Sequence, residues 1–177
     1  MKLVILDRDG VINVDSEQYI KSPEEWTPIP GSLEAIARLT QAGFRVVVAT
    51  NQSGLGRGLF DMATLNAMHD KMHKAVNQLG GRIDAVFFCP HAQDAGCACR
   101  KPRPGMLLEI AARFNLALAG VPAIGDSLRD VRAASAAGAR PILVLTGKGE
   151  QTLKSGDLPE GTEVHRDLAA AAVALAA

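Results

Sequence analysis

Near its N-terminus the chain reads VILDRDGVIN, where an apolar run, Leu3 to Leu6, ends in Asp7 and Asp9 with Gly10 after them. A carboxylate is ionised at neutral pH without a helper base, so an aspartate can attack phosphorus directly and become an aspartyl-phosphate. A second carboxylate two residues on can protonate the leaving oxygen and later take a proton from water. Two like charges pressed together repel strongly in a partly desolvated cleft. A hard divalent cation with oxygen ligands, Mg2+, offsets that repulsion and attracts phosphate.

The elements that must position this pair follow from hydrophobic periodicity. Five short aliphatic runs, at 3–6, 44–49, 85–88, 121–124 and 141–145, alternate with stretches whose apolar residues recur at three-and-four spacing. That alternation predicts an α/β fold: βαβ units and a mainly parallel sheet with helices on both faces, a three-layer Rossmann-like domain over 1–177. Ligands of such sheets bind beyond the carboxyl ends of the strands, where strand order reverses. The ends here carry Asp7-Arg8-Asp9-Gly10, then Thr50-Asn51-Gln52-Ser53-Gly54, then Cys89, then Gly125-Asp126-Ser127. Asp126 therefore joins Asp7 and Asp9 as a candidate magnesium ligand. Thr50 and Asn51 offer donors to phosphoryl oxygens, and Lys101 in CRKPRPG is the candidate neutralising cation.

Two connections, 11–30 and 89–104, are too polar or proline-rich for regular elements, and long loops in a compact domain are usually functional. The second holds Cys89, His91, Cys97 and Cys99, all three cysteines of the chain and one of its four histidines. Three thiolates and an imidazole complete a tetrahedral shell for structural Zn2+, with no position left for substrate. The loop has little core of its own, so the metal would supply its folding energy and fix Arg100 and Lys101 just beyond it. Free thiols, or a Cys97–Cys99 redox pair, are the other reading of the same spacing.

Composition narrows the classes. The charge is balanced, 19 basic against 19 acidic side chains, and aromatics are 4%. Nothing there favours nucleic acid or an acidic membrane as partner. No apolar run reaches the ~20 residues of a membrane helix, no signal peptide is visible, and an odd cysteine count speaks against a secreted disulfide framework. A cytoplasmic monomer acting on a small molecule is expected.

DRDG, VVATNQSG, CRKPRPGM and IGDSLRDV, in that order, resemble the four motifs of the haloacid dehalogenase-like (HAD) phosphatases. The resemblance implies Asp7 as nucleophile, Asp9 as general acid/base, and Thr50 and Lys101 steadying the transferring phosphoryl. It implies Mg2+ held by Asp7, Asp126 and the backbone carbonyl of Asp9; whether Asp130 joins them stays open. Neither long loop has the length of the cap domain that many relatives carry. With DRDGVINVD at the start, the CxH…CxC loop resembles the branch that removes the 7-phosphate of D-glycero-D-manno-heptose 1,7-bisphosphate, in the synthesis of ADP-heptose for lipopolysaccharide. By that resemblance Asp15, Ser16, Glu17, Gln18, Asn51, Gln52, Ser53 and Arg100 meet the phosphorylated sugar.

Histidinol-phosphate phosphatases share the fold, the motifs and a similar zinc loop, and remain the rival. Arg57, Arg100 and Arg103 suit a second anionic group; Glu17, Glu24, Glu25 and Trp26 would suit the ammonium of histidinol phosphate. A non-enzymatic phospho-receiver module needs its aspartate after the third strand, where Cys89 stands. Among the remaining features, HDKMH is read as a solvated helix face, Met62, Met68 and Met72 as core, and Gly54 to Gly58 as a mobile loop.

Overall fold

The computed structural model describes residues 1–177 and forms one six-stranded sheet, every pairing parallel. Its strands are β1 (Lys2–Leu6), β2 (Phe44–Asn51), β3 (Ala85–Cys89), β4 (Pro122–Gly125), β5 (Arg140–Val144) and β6 (Glu163–His165), in spatial order β3-β2-β1-β4-β5-β6. The helices are α1 (Ser32–Gln41), α2 (Ser53–Gly56), α3 (Met62–Gln78), α4 (Gly105–Phe114), α5 (Leu128–Ala136), α6 (Gly149–Ser155) and α7 (Leu168–Ala176). The chain runs outward from β1 to β3, then returns to β4 on the other side of β1. The order thus reverses between β1 and β4, the crevice where open sheets of this kind take ligands.

Alternation along each strand builds the layers. Val4 and Leu6 of β1, with Val46 and Val48 of β2, pack on Ile36 and Leu39 of α1, Met68 and Met72 of α3, and Leu168 of α7. Leu3, Ile5, Val47 and Ala49 face the other way, onto Met106, Leu107 and Ile110 of α4 and Ala133 and Ala134 of α5. Asp61 caps α3 by accepting from the Thr64 amide at 2.8 Å, and Ser127 and Asp130 form a reciprocal capping box on α5.

Several sequence expectations shift. Strand β2 continues to Asn51, because Thr50 and Asn51 still pair with Phe88 and Cys89 of β3. The short edge strand β6 carries no strong apolar run and was not anticipated. The 11–30 connection is not structureless: Val11, Ile12, Ile20 and Trp26 are buried in the core, and the Val14 and Ile29 amides donate to Thr27 and Ile12 carbonyls. Trp26, 1% exposed, lies under the Lys71 ammonium and is core rather than an aromatic wall for substrate. Met62 is exposed at the start of α3, whereas Met68 and Met72 are buried as expected. Gly54 and Gly56 lie in the helical turn α2, where a side chain on Gly56 would stand 2.6 Å from the Pro90 carbonyl oxygen. That segment is a packed seat for the cysteine loop. No helix is long and apolar enough to cross a membrane.

Trp26→Ala removes a buried indole beneath the 11–30 connection and is expected to cost ~3–5 kcal/mol of stability by urea denaturation. The KM of the folded fraction for a phosphorylated substrate should be unchanged, as fits a residue that does not touch the ligand.

Candidate active site

The cleft opens at the β1/β4 switch point. Asp7 lies just past β1, its amide donating to the Ile124 carbonyl of β4 at 2.9 Å, and Asp126 follows β4 directly. Asp7, Asp126 and Asp130 bring carboxylate oxygens within 4.8 Å of one another. Lys101, 3% exposed, bridges them: its Nζ donates to Asp7 Oδ1 at 3.1 Å and to the Ala49 carbonyl at 2.8 Å, and it ion-pairs with Asp130 Oδ1 at 2.7 Å. All three ammonium donors are used in fixing the floor of the cleft.

The lysine is itself held in place. Asn51 donates from Nδ2 to the Lys101 carbonyl at 3.1 Å and accepts from its amide at 3.0 Å. This corrects the expectation that the Asn51 amide is free for a phosphoryl oxygen: it is engaged in clamping Lys101. Asp130 is equally committed, since its Oδ2 accepts from the amides of Asp126 and Ser127 and from Ser127 Oγ. Its oxygens anchor the turn after β4 and the lysine, which leaves Asp7 and Asp126 as the carboxylates with capacity for a cation.

The electrostatics follow from burial. Asp7 is pushed well above the usual carboxylate range by burial and then by the charge of Asp130, with Lys101 pulling against them. Burial, followed by Asp130, lifts Asp126 to about 7. For Asp130 burial also works upward, yet Lys101 overcomes it and holds the group below its ordinary value. Burial disfavours the charged lysine, and the two carboxylates reverse that, raising it. One ammonium does not neutralise three carboxylates, so the donor set fits a hard cation with oxygen ligands.

Two glycines make room for Asp126. A Cβ on Gly10, at φ +83°, would sit 2.0 Å from Asp126 Oδ2, and one on Gly147, at φ +56°, 2.3 Å from the same atom. Beside them the Lys148 amide donates to Asp126 Oδ2 at 2.9 Å, Thr146 Oγ1 to the Gly10 carbonyl at 2.7 Å, and Thr152 Oγ1 to the Asp126 carbonyl at 3.0 Å. These residues follow β5, and reading only the first four strand ends passed them over. The signal was present: LTGKG has the glycine and polar content of a ligand-facing turn.

The Asp9 carboxylate stands apart from this acidic cluster while still lining the cleft. Its Oδ1 accepts from Arg8 Nε at 2.8 Å and Asn13 Nδ2 at 3.0 Å, and its Oδ2 receives one contact, from Gln52 Nε2 at 3.3 Å. The Asp9 side chain therefore stands outside the acidic cluster, and only its backbone carbonyl remains for a metal. Thr50 is buried at the floor, accepting from Gln52 Nε2 at 3.0 Å. Asp15, Ser16, Glu17, Gln52, Ser53 and Arg100 line the cleft as expected. Gln18 does not, while Tyr19, Arg129 and Lys148 do and were missed. Arg57 is taken up by Gln93 Oε1, and Arg103 donates to the Cys97 carbonyl, so neither reaches the cleft. His69 is buried rather than solvated, with Nε2 3.2 Å from Arg8 Nη1.

The cysteine loop closes on itself. Cys89 Sγ lies 3.4 Å from His91 Nδ1, 3.5 Å from Cys97 Sγ and 3.0 Å from Cys99 Sγ; Cys99 Sγ lies 3.3 Å from His91 Nδ1. Tetrahedral zinc with ~2.3 Å Zn–S bonds needs edges of about 3.8 Å, an outward shift under ~1 Å. Burial, then the hydrogen bonds and charges of Cys89 and Cys97, push the Cys99 thiol up to about 12. Thiols crowded in this way are what a cation relieves.

Comparison with known proteins now decides the family. Residues 2–127 match the family described as Polynucleotide kinase 3 phosphatase, and residues 98–171 one described as HAD-hydrolase-like. A curated relative from Bordetella bronchiseptica, D-glycero-beta-D-manno-heptose-1,7-bisphosphate 7-phosphatase, is 66% identical over 97% of this chain and 96% of its own length. The chain belongs to the heptose-bisphosphate phosphatase family of HAD-like hydrolases. A Pseudomonas aeruginosa phosphatase of the same name is 54% identical over 98% of this chain and 97% of its own. The crystal structure of the B. bronchiseptica D,D-heptose 1,7-bisphosphate phosphatase, complexed with magnesium and phosphate, superposes with a TM-score of 0.98, covering 99% of this chain and 98% of that one. The Burkholderia thailandensis phosphatase is 60% identical, with a TM-score of 0.80 over 99% and 98% of the two chains.

Because Gly10 is squeezed against Asp126, Gly10→Ala should displace that carboxylate and lower kcat/KM roughly 100-fold, the scale of an ångström-level misplacement. Steady-state phosphate release, with far-ultraviolet circular dichroism to confirm folding, measures it.

Proposed function

We propose that the protein is a Mg2+-dependent phosphomonoesterase that removes the 7-phosphate of D-glycero-D-manno-heptose 1,7-bisphosphate. The observation that carries this reading is the pair of groups at the switch point: Asp7, fixed by Lys101 at 3.1 Å, and Asp9, whose Oδ2 faces the same cleft. The close relatives bear the name of that activity.

Asp7, Asp126 and the Asp9 carbonyl would hold Mg2+, which supplies charge neutralisation for the acidic cluster and the incoming phosphate. A carboxylate oxygen of Asp7 forms a bond to phosphorus as the P–O7 bond of the sugar breaks, and the electron pair of that bond stays on O7. The proton on Asp9 Oδ2 passes to O7, so the sugar leaves as an alcohol. Asp9, now ionised, takes a proton from water, whose oxygen attacks the aspartyl-phosphate; inorganic phosphate departs and Asp7 is regenerated. Lys101 stabilises the charge that Asp7 carries before and after transfer, and the Thr50 hydroxyl lies on the cleft floor beside it.

The second phosphate of the substrate has a host in the rim, Arg100 and Arg129. Burial lowers the Arg100 guanidinium, and the adjacent Arg129 lowers it further; its buried Nη1 has no protein partner. Two guanidiniums facing one cleft suit another anion. The rival substrate, histidinol phosphate, would want an acidic or aromatic wall; of the residues expected to supply it, Trp26 is in the core while Glu17 lines the cleft, so the choice rests on the two guanidiniums and on the kinetics below. The cysteine cluster is read as structural Zn2+ held by Cys89, His91, Cys97 and Cys99, its loop leading directly into Arg100 and Lys101.

Side-by-side kinetics test the substrate. The kcat/KM for heptose 1,7-bisphosphate should exceed that for histidinol phosphate by at least about tenfold, and Asp7→Asn should abolish both. A win for the amine keeps the chemistry and replaces the substrate. For zinc, mass spectrometry should find close to one equivalent per chain. Cys99→Ser should lose that metal and weaken turnover ~10–100-fold, as expected when support around a site is removed; a metal-free chain of full activity would overturn the structural role.

A further inference from the structure

Arg8 separates the two aspartates of the first motif, and the mechanism above gives it no part. Its side chain is 0% exposed and lies between Asp9 and His69. Nε donates to Asp9 Oδ1 at 2.8 Å; Nη2 stands 2.8 Å from the same oxygen but off the line of its N–H bonds; Nη1 meets Nε2 of His69, on α3, at 3.2 Å. A guanidinium has only donors, so the imidazole nitrogen facing it must be bare, which fixes His69 as the neutral ring with its hydrogen on Nδ1. Burial, with the Arg8 and His73 charges, lowers His69 to about 4, in accord with a neutral ring.

The consequence falls on Asp9. With Asn13 Nδ2 at 3.0 Å, its Oδ1 is surrounded by three nitrogens, whereas Oδ2 has only the long Gln52 contact. A proton cannot sit on an oxygen already facing that many donors, so it sits on Oδ2, the oxygen toward the cleft. We propose that His69 is a positioning residue for proton transfer: by accepting from Arg8 it holds the guanidinium on Asp9 Oδ1 and thereby keeps Oδ2 aimed at the leaving oxygen. This inference rests on the acid/base role given above to Asp9.

A leaving group that needs no proton separates positioning from packing. Alkyl phosphates must receive the Asp9 proton as the P–O bond breaks; p-nitrophenyl phosphate releases a phenolate that departs as the anion. His69→Met should lower kcat/KM for heptose 1,7-bisphosphate, or for whichever alkyl phosphate the enzyme turns over best, by ~10–100-fold, part of the contribution of a general acid. The kcat/KM for p-nitrophenyl phosphate should stay within about threefold, because this parameter reports transfer to Asp7 and not the later attack by water, which Asp9 assists for either substrate. His69→Gln, whose Oε1 can accept from Arg8, should restore most of the loss. If the methionine variant does not fold by thermal melting, His69→Asn, whose amide falls short of Arg8, takes its place with the same expectation. An equal fall on both substrates, or no fall on either, overturns the proposal. Asp9→Asn is the control: if it too leaves the ratio of the two substrates unchanged, the acid/base reading of Asp9 fails first.

Discussion

The ammonium of Lys101 stands between Asp7 and Asp130 at 3.1 and 2.7 Å, on a floor that also holds Asp126. Three carboxylates, two buried and Asp7 nearly so, cannot share so small a space unaided, because burial and mutual repulsion both favour their neutral forms. The surrounding architecture is explained by the need to keep these charges together. Asn51 fixes the lysine backbone, the capping box of α5 fixes Asp130, and the turn after β5 fixes Asp126. The cysteine loop begins at the last residue of β3 and ends just before Arg100 and Lys101, so it binds the lysine to the sheet from the other side.

Much of this was legible in the sequence because it is written in short range. The apolar runs gave the first five strands to within two residues, the polar strand tips placed Asp7, Thr50 and Asp126 at the cleft, and the need for a neutralising cation pointed to Lys101. The ligand spacing in 89–99 gave the cysteine cluster. What escaped depends on tertiary approach. That His69 leaves the solvent is decided by Arg8, a charge 61 residues away. That Asn51 clamps Lys101 rather than facing the ligand depends on a register 50 residues apart. Gln18 was expected at the cleft from the resemblance and Trp26 as a wall for the rival's ammonium, but Gln18 stands exposed outside the cleft and apolar anchors draw Trp26 into the core. The edge strand β6 is only three residues, too short for alternation to show.

The cleft rim is assembled from loops rather than from a separate cap. Tyr19, at φ +67°, accepts from Gln93 of the cysteine loop at 3.1 Å, and the Gln93 carbonyl group in turn takes the Arg57 guanidinium. The 11–30 connection, the end of α2 and the cysteine loop are thereby one connected wall. Residues without catalytic chemistry of their own thus set the shape a sugar must fit.

The crevice around Asp126 is bounded by glycines 137 positions apart, Gly10 and Gly147, and a Cβ at either would fall within van der Waals exclusion of a single oxygen. A side chain at either site must push that carboxylate aside, however mild the replacement looks in isolation. Their freedom to vary is therefore conditional: a change at one position is tolerable only at the expense of the aspartate's placement, and with it the chemistry. Epistasis of this kind makes the two glycines as diagnostic of a working enzyme as the acids themselves.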